Sequence, residues 1–176
     1  MTATRTQTRK GFTLIEILIV VIILGILAAI VIPQFTNASK EAKQSSLVTM
    51  VQSLRSQIAL FKLQHNDMLP GSAALSDSAG TWNETVFWNQ LTQFTNLAGG
   101  TAAAKNTGTG HVYGPYMQSI PTNPLVDAAN ASKVKDAPYS GAANAGKDFG
   151  FVYDYNAGAG SGKVWGVDSN NLMIDQ

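Results

Sequence analysis

The sequence predicts an α+β protein in which a long N-terminal α-helix packs its second half on a small antiparallel β-sheet head. Three observations predict it. From Phe12 to Ile32, a largely apolar run, the only charged residue is Glu16. Leu47, Val51, Leu54, Ile58 and Phe61 then step by 4, 3, 4 and 3, the spacing of one helical face. Near the end, Phe149, Phe151, Tyr153 and Tyr155 alternate like a strand with one covered face, and Lys163 to Val167 reads as the strand returning from it.

Composition narrows the function classes. The chain has 176 residues, of which 13% are charged, and it contains no cysteine. Disulfide frameworks, thiolate metal sites and cysteine nucleophiles are therefore excluded. The formal net charge of +1 turns negative once Arg5, Arg9 and Lys10 are set aside, so no basic patch remains for nucleic acid. Beyond the apolar run the chain is poor in charge and rich in Ala, Gly, Thr, Ser and Asn, a neutral polar surface of the kind expected of an exported protein that packs against copies of itself.

The apolar run admits three readings. About 20 apolar residues suffice to span a bilayer as a helix, and the basic residues at its start place the N-terminus in the cytoplasm. A cleaved secretory signal has a shorter apolar core and a small-residue cut site. Leu27-Ala28-Ala29 offers such a site, but the run continues through Ile32 and Glu16 interrupts it early. A plain single-span anchor explains length and flanks and gives no role to Gly11 or Glu16. The third reading is one of assembly, because lipid penalises an unpaired carboxylate and Glu16 calls for a partner in some assembled state.

Lys10 to Phe35 carries Gly-Phe-Thr-Leu-Ile-Glu, then an Ile/Leu/Val run, then Ala28-Ala29 and Pro33-Gln34-Phe35. This segment resembles the N-terminus of type IV prepilins and type II secretion pseudopilins. The resemblance implies cleavage by a membrane-embedded prepilin peptidase between Gly11 and Phe12, N-methylation of Phe12, and a role for Glu16 in assembly. It implies residues 1–11 as leader, 12–33 as transmembrane and assembly helix, 34–64 as its amphipathic continuation and 65–176 as the α+β head, a pilin-like fold. The implied partners are copies of this chain, related pilin subunits, the inner-membrane assembly platform and membrane lipid. The implied location is the cytoplasmic (inner) membrane, single-pass, with the head in the periplasm or at the cell surface.

Physical reasoning runs the same way. Moving an apolar helix from lipid into a bundle of helices exchanges one apolar environment for another. A carboxylate facing a neighbour's positively charged N-terminus therefore selects the neighbour, and breaking such a buried pair costs roughly 3–5 kcal/mol. The plainer alternative, a carboxylate snorkelling or protonated at the headgroup boundary, stays open on sequence alone. Gly25 and Pro33 each weaken the helix, so a bend near Pro33 and local loss of helicity between them are expected.

The remaining elements can be taken in chain order. One helix is predicted from Phe12 to Gln64, ended by His65-Asn66-Asp67 and the turn at Pro70-Gly71. Thr81-Trp82-Asn83-Glu84 reads as a capping box opening a helix from Trp82 to Leu97. Trp82 and Trp88 suit either a carbohydrate-binding surface or, more ordinarily, the head's core. Ala98 to Gly110 and Asp127 to Lys147 read as loops. Between them, Tyr113-Gly114-Pro115-Tyr116 and Ile120-Pro121-Thr122-Asn123-Pro124 resemble the linker of pseudopilin heads. Asn156 to Gly162 reads as a Gly-rich turn, and Leu172 to Ile174 as a short terminal strand.

No nucleophile motif, zinc spacing or P-loop appears, and no enzyme is expected. His65 and His111 are isolated and read as structural or exposed. The family resemblance implies calcium on an acidic loop near the sheet, but the turn from Asn156 to Gly162 holds no carboxylate. Asp154, Asp168, Asn170 and Asp175 remain as oxygen donors, and calcium needs six or more converging ligands, so no cofactor is expected. The sequence thus points to a structural filament subunit, with a type II secretion pseudopilin placed before a surface pilin for adhesion, motility or DNA uptake. A membrane-anchored binding module that never polymerises is the rival from another class.

Overall fold

The computed structural model describes residues 11–71, 81–136, 149–155, 160–168 and 173–174. Arg5, Arg9, Lys10, Asn170 and Asp175, with most of the Gly-rich turn, lie outside them. Compactness divides the chain into two units, Met1–Ala42 and Lys43–Gln176.

Helix α1 spans Leu14–Gln64 and runs unbroken through Gly25 and Pro33. Every described residue of its unit up to Ala42 is exposed. In the second unit the predicted stripe is the buried face: Leu47, Val51, Leu54, Ile58 and Phe61 are at most 4% exposed. Each such side chain contributes roughly 1.5–3 kcal/mol of burial. The helix ends because Asn66 and Asp67 take left-handed backbone angles, φ 52° and 61°, which Asn and Asp tolerate better than most residues. The Asp67 amide donates to the Lys62 carbonyl at 2.9 Å, the six-to-one bond of a Schellman closure.

Helix α2 spans Glu84–Thr92, shorter at both ends than the predicted 82–97. Its N-cap is Asn83 rather than Thr81: Asn83 Oδ1 accepts the Val86 amide at 3.1 Å. Glu84, which spacing assigns to a capping box, instead accepts the Val134 amide at 3.0 Å. Asn83→Ala should therefore lower the head's stability by about 1 kcal/mol, read as a drop in melting temperature, while Thr81→Ala should leave it unchanged. At its other end α2 stops because Gln93 turns extended, and Phe94–Thr95 pairs as β1 with β2, Thr101–Ala102. Strand pairing overrides the helical spacing that reaches Leu97, which is exposed.

The main sheet has four strands in the order β3-β4-β5-β6: Val134–Asp136, Phe151–Tyr153, Val164–Val167 and Met173–Ile174. The β4–β5 hairpin and β6 stand where predicted, all antiparallel. The stretch that reads as a loop supplies β3, which runs parallel to β4. Val134-Lys135-Asp136 has no apolar alternation to reveal a strand, so only the neighbouring β4 makes it one.

The sheet is covered on both faces, not one. Phe151, Tyr153 and Val164 join the stripe of α1 with Phe87, Leu91 and Tyr155. Phe149, Val152 and Val167 form a second cluster with Trp165 against it. The Lys135 and Lys163 ammonium groups lie 5.4 and 5.2 Å from the Phe149 and Trp165 ring centres, so their stems cover the aromatic surface. Helix and sheet approach closely at Gly166, where an added Cβ would stand 2.7 Å from the Leu47 side chain. Arg55 Nε donates to the Val164 carbonyl at 2.9 Å and fixes the same contact.

Trp82 and Trp88 belong to this core rather than to a binding surface. Trp82 lies 5.4 Å from Phe87 and 5.5 Å from Tyr153, and Trp88 Nε1 donates to the Ser132 carbonyl at 3.0 Å. The linker is equally built in. Tyr113 exchanges backbone bonds with Thr95, the Tyr116 amide donates to Leu91 O at 2.9 Å, and the Tyr116 hydroxyl donates to Gln64 Oε1 at 2.7 Å.

Candidate functional site

The start of α1 is shaped by two residues. The Thr13 amide and the Thr13 hydroxyl both donate to Oε2 of Glu16, each at 2.7 Å. The Glu16 amide in turn donates to Thr13 Oγ1 at 3.3 Å. This is a reciprocal capping box, which satisfies donors that a helix N-terminus otherwise leaves open. It also holds the carboxylate at the positive end of the helix dipole, where negative charge is favoured. Both bonds from Thr13 fall on one carboxylate oxygen, and charge-assisted bonds of this kind are the stronger ones.

Around this box the surface is apolar. Phe12 is 85% exposed and Leu14 84%. From Ile15 to Ile32 the large apolar side chains stand exposed on every side of the helix. Among the described residues α1 is the one helix long and apolar enough to cross a membrane. Its segment from Leu14 to Ile32 rises about 1.5 Å per residue, close to the roughly 30 Å of a hydrocarbon core. A helix apolar all round is a helix meant to be surrounded, by lipid or by other helices.

The structure thus groups Gly11, Phe12 and Glu16 at one end of the apolar segment. It does not bring Gly25 or Pro33 to them; a Cβ at Gly25 would meet nothing within 4 Å. The residue that sequence reasoning missed is Thr13. The signal is present, since Thr-x-x-Glu at 13–16 is the same pattern that misleads at 81–84.

In the head, Asp154 is engaged by its own loop. Its Oδ2 accepts the Ser161 hydroxyl at 2.6 Å and the Ser161 amide at 2.9 Å. These two bonds hold its carboxyl below the usual carboxylate range. Among the described residues no three His, Cys, Asp or Glu side chains gather where a metal ion would sit. Of the two histidines, His111 is partly exposed beside Thr109, whose Oγ1 lies 2.7 Å from its Nδ1, whereas His65 is wholly buried.

One comparison with known proteins falls on the same segment. A family model described as the prokaryotic N-terminal methylation motif matches residues 6–32. The chain is similar to the type II secretion system core protein G of Klebsiella michiganensis, 36% identical over 62 residues, which are 35% of this chain and 44% of that one. It is similar to a fimbrial protein of Neisseria meningitidis serogroup A, 32% identical over 83 residues, 44% of this chain and 49% of the other. It is also similar to the type IV narrow pilus major component of Thermus thermophilus, 42% identical over 55 residues, 31% of this chain and 47% of that protein. The chain spans less than half the length of each of these relatives. No solved structure matches it significantly.

Proposed function

We propose, for a chain whose N-terminal segment belongs to the type IV pilin and type II secretion pseudopilin superfamily, that it is a structural subunit of a pilus-like filament. The observation that carries this reading is Glu16, one carboxylate capped at the start of a helix segment that is otherwise uncharged and exposed all round. In the membrane the box with Thr13 offsets part of the cost of keeping that charge out of water. In a filament Glu16 faces the amino group of a neighbour's Phe12, exposed once the chain is cut after Gly11. The apolar run supplies adhesion and the charge pair supplies register.

Within that role a type II secretion pseudopilin is the preferred identity. It is supported by the similarity to core protein G and by the tyrosine–proline linker that ties α2 and the end of α1 to the sheet. A surface pilin is the second reading, favoured by the similarity to the fimbrial and narrow-pilus proteins. In both, a prepilin peptidase cuts at Gly11, Phe12 is N-methylated, and the chain waits in the cytoplasmic membrane with Arg5, Arg9 and Lys10 inside. Copies of this chain, related subunits and an inner-membrane assembly platform are the partners.

Mass spectrometry on filaments sheared from intact cells tests the reading and separates its two forms. An abundant chain in the sheared fraction beginning at methylated Phe12 establishes a surface pilin. The same N-terminus confined to the membrane fraction supports the pseudopilin. A chain still beginning at Met1, or cut after Ala29, refutes a filament subunit of either kind.

A further inference from the structure

His65 sits where three parts of the head meet, and neither anchoring nor assembly uses it. Its ring lies flat on Phe61, with centroids 3.9 Å apart and planes 6° from parallel. The edges of Tyr113 and Tyr116 close on it, at 5.3 and 6.3 Å. Nδ1 lies 2.9 Å from the Phe61 carbonyl, an acceptor only, so Nδ1 carries the proton of the neutral ring. Nε2 is then an acceptor, fully buried and without a hydrogen-bond partner among the described residues. Leaving such a group unpaired costs about 1–3 kcal/mol.

The surroundings supply an alternative position. An open cavity of about 510 Å³ lies beside this residue, lined by His65 with Asn66, Asp67, Met68, Leu97 and Ala98. The turn on which His65 and Asp67 stand is the one with two consecutive left-handed residues. The titratable groups on segments around the ring are Lys62 on α1, Asp67 on the turn, and Tyr113 and Tyr116 on the linker. From the β1–β2 side the Asn96 carbonyl also reaches the ring and favours its charged form. Burial outweighs it and pushes His65 below the ordinary histidine value.

We propose that His65 is a proton-sensitive latch, whose protonation turns the ring out of the Phe61–Tyr113–Tyr116 cage into the cavity beside Asp67 and loosens the linker from the ends of α1 and α2, to which Tyr116 ties it. The balance is one of selection between two states. The closed state holds a neutral ring in an aromatic cage; the open state offers the imidazolium water and a carboxylate, and so binds the proton more tightly. Because the closed-state value is the lower one, stability is intact above the ordinary histidine pKa of about 6.5 and declines as pH falls below it. For a one-proton step the open population grows by up to about tenfold per pH unit across that window. The latch is a property of the head and stands apart from whether the chain polymerises.

The test uses the full chain in detergent micelles. The protein has two histidines, so the ring proton signals of His65 and His111 are separable by one substitution, His111→Asn. Between pH 7.5 and 5 the His65 signal should titrate with a midpoint below about 6.5. Hydrogen exchange at the Tyr116 and Met117 amides, corrected for its intrinsic pH dependence, should accelerate with the same midpoint. In His65→Phe, which keeps the stack and removes the proton, that acceleration should vanish. In Asp67→Asn it should shift to lower pH. A His65 that titrates while exchange at Tyr116 and Met117 stays unchanged overturns the latch, as does a ring that remains neutral to pH 5. If His65→Phe fails to fold, the wild-type titration and Asp67→Asn still decide.

Discussion

Glu16→Ala should leave a folded head on a membrane-bound chain that no longer enters filaments. The substitution removes a capping acceptor at the end of a helix that lipid already supports. On the proposed pairing it leaves a neighbour's amino group buried without its counter-charge, and breaking a buried pair costs roughly 3–5 kcal/mol. Sheared filament yield should fall to background while the amount in the membrane fraction is unchanged. Two companions separate charge from cap. Glu16→Gln keeps an acceptor for Thr13 and removes the charge, so it should fail as Glu16→Ala does. Thr13→Ala keeps the charge and removes the cap, so it should assemble at reduced yield. A Glu16→Gln chain that builds filaments normally would end the charge-pair account.

Asn123→Ala should lower the stability of the head by several kcal/mol. Asn123 is 1% exposed. Its Nδ2 donates to the carbonyls of Gly150 and Val167, both at 2.7 Å, and its Oδ1 accepts the Leu125 amide at 2.9 Å. One side chain thereby joins the linker to the residue before β4 and to the end of β5. Alanine leaves the Val167 carbonyl and the half-buried Leu125 amide without this partner, while the Gly150 carbonyl keeps the Val167 amide at 3.1 Å, a loss of about 2–6 kcal/mol. Against a total stability of about 5–15 kcal/mol that is a large share. The backbone cannot close around the gap, because a Cβ at Gly150 would already collide with the Ala131 carbonyl. Thermal or urea unfolding in micelles measures the loss; a change below about 1 kcal/mol would show that water replaces the clamp.

Helix α1 and its two faces were legible in the sequence because they rest on local periodicity. The apolar run is a property of composition, and the stripe from Leu47 to Phe61 is buried residue by residue as the spacing of 4, 3, 4 and 3 predicts. The Phe151–Tyr155 alternation and the Val164–Val167 return were legible for the same reason, whereas Phe149 falls in the cluster on the other face. Parts of the candidate site were legible too: Gly11, Phe12 and Glu16 stand together in sequence, and Thr13 was missed although its pattern is present. Other features were not written locally. Val134–Asp136 is a strand only because β4 lies beside it, and α2 stops at Thr92 only because Phe94 and Thr95 find β2. Glu84 reaches across to Val134, Asn123 to Gly150 and Val167, and His65 to Tyr113 and Tyr116; each partner is far away in the chain or hidden in a segment that reads as loop. By itself the sequence determined what must be surrounded and which face must be covered, because hydrophobic burial depends on residue type and spacing. Only the tertiary structure decided which polar groups meet, because a hydrogen bond depends on distances that no local period encodes.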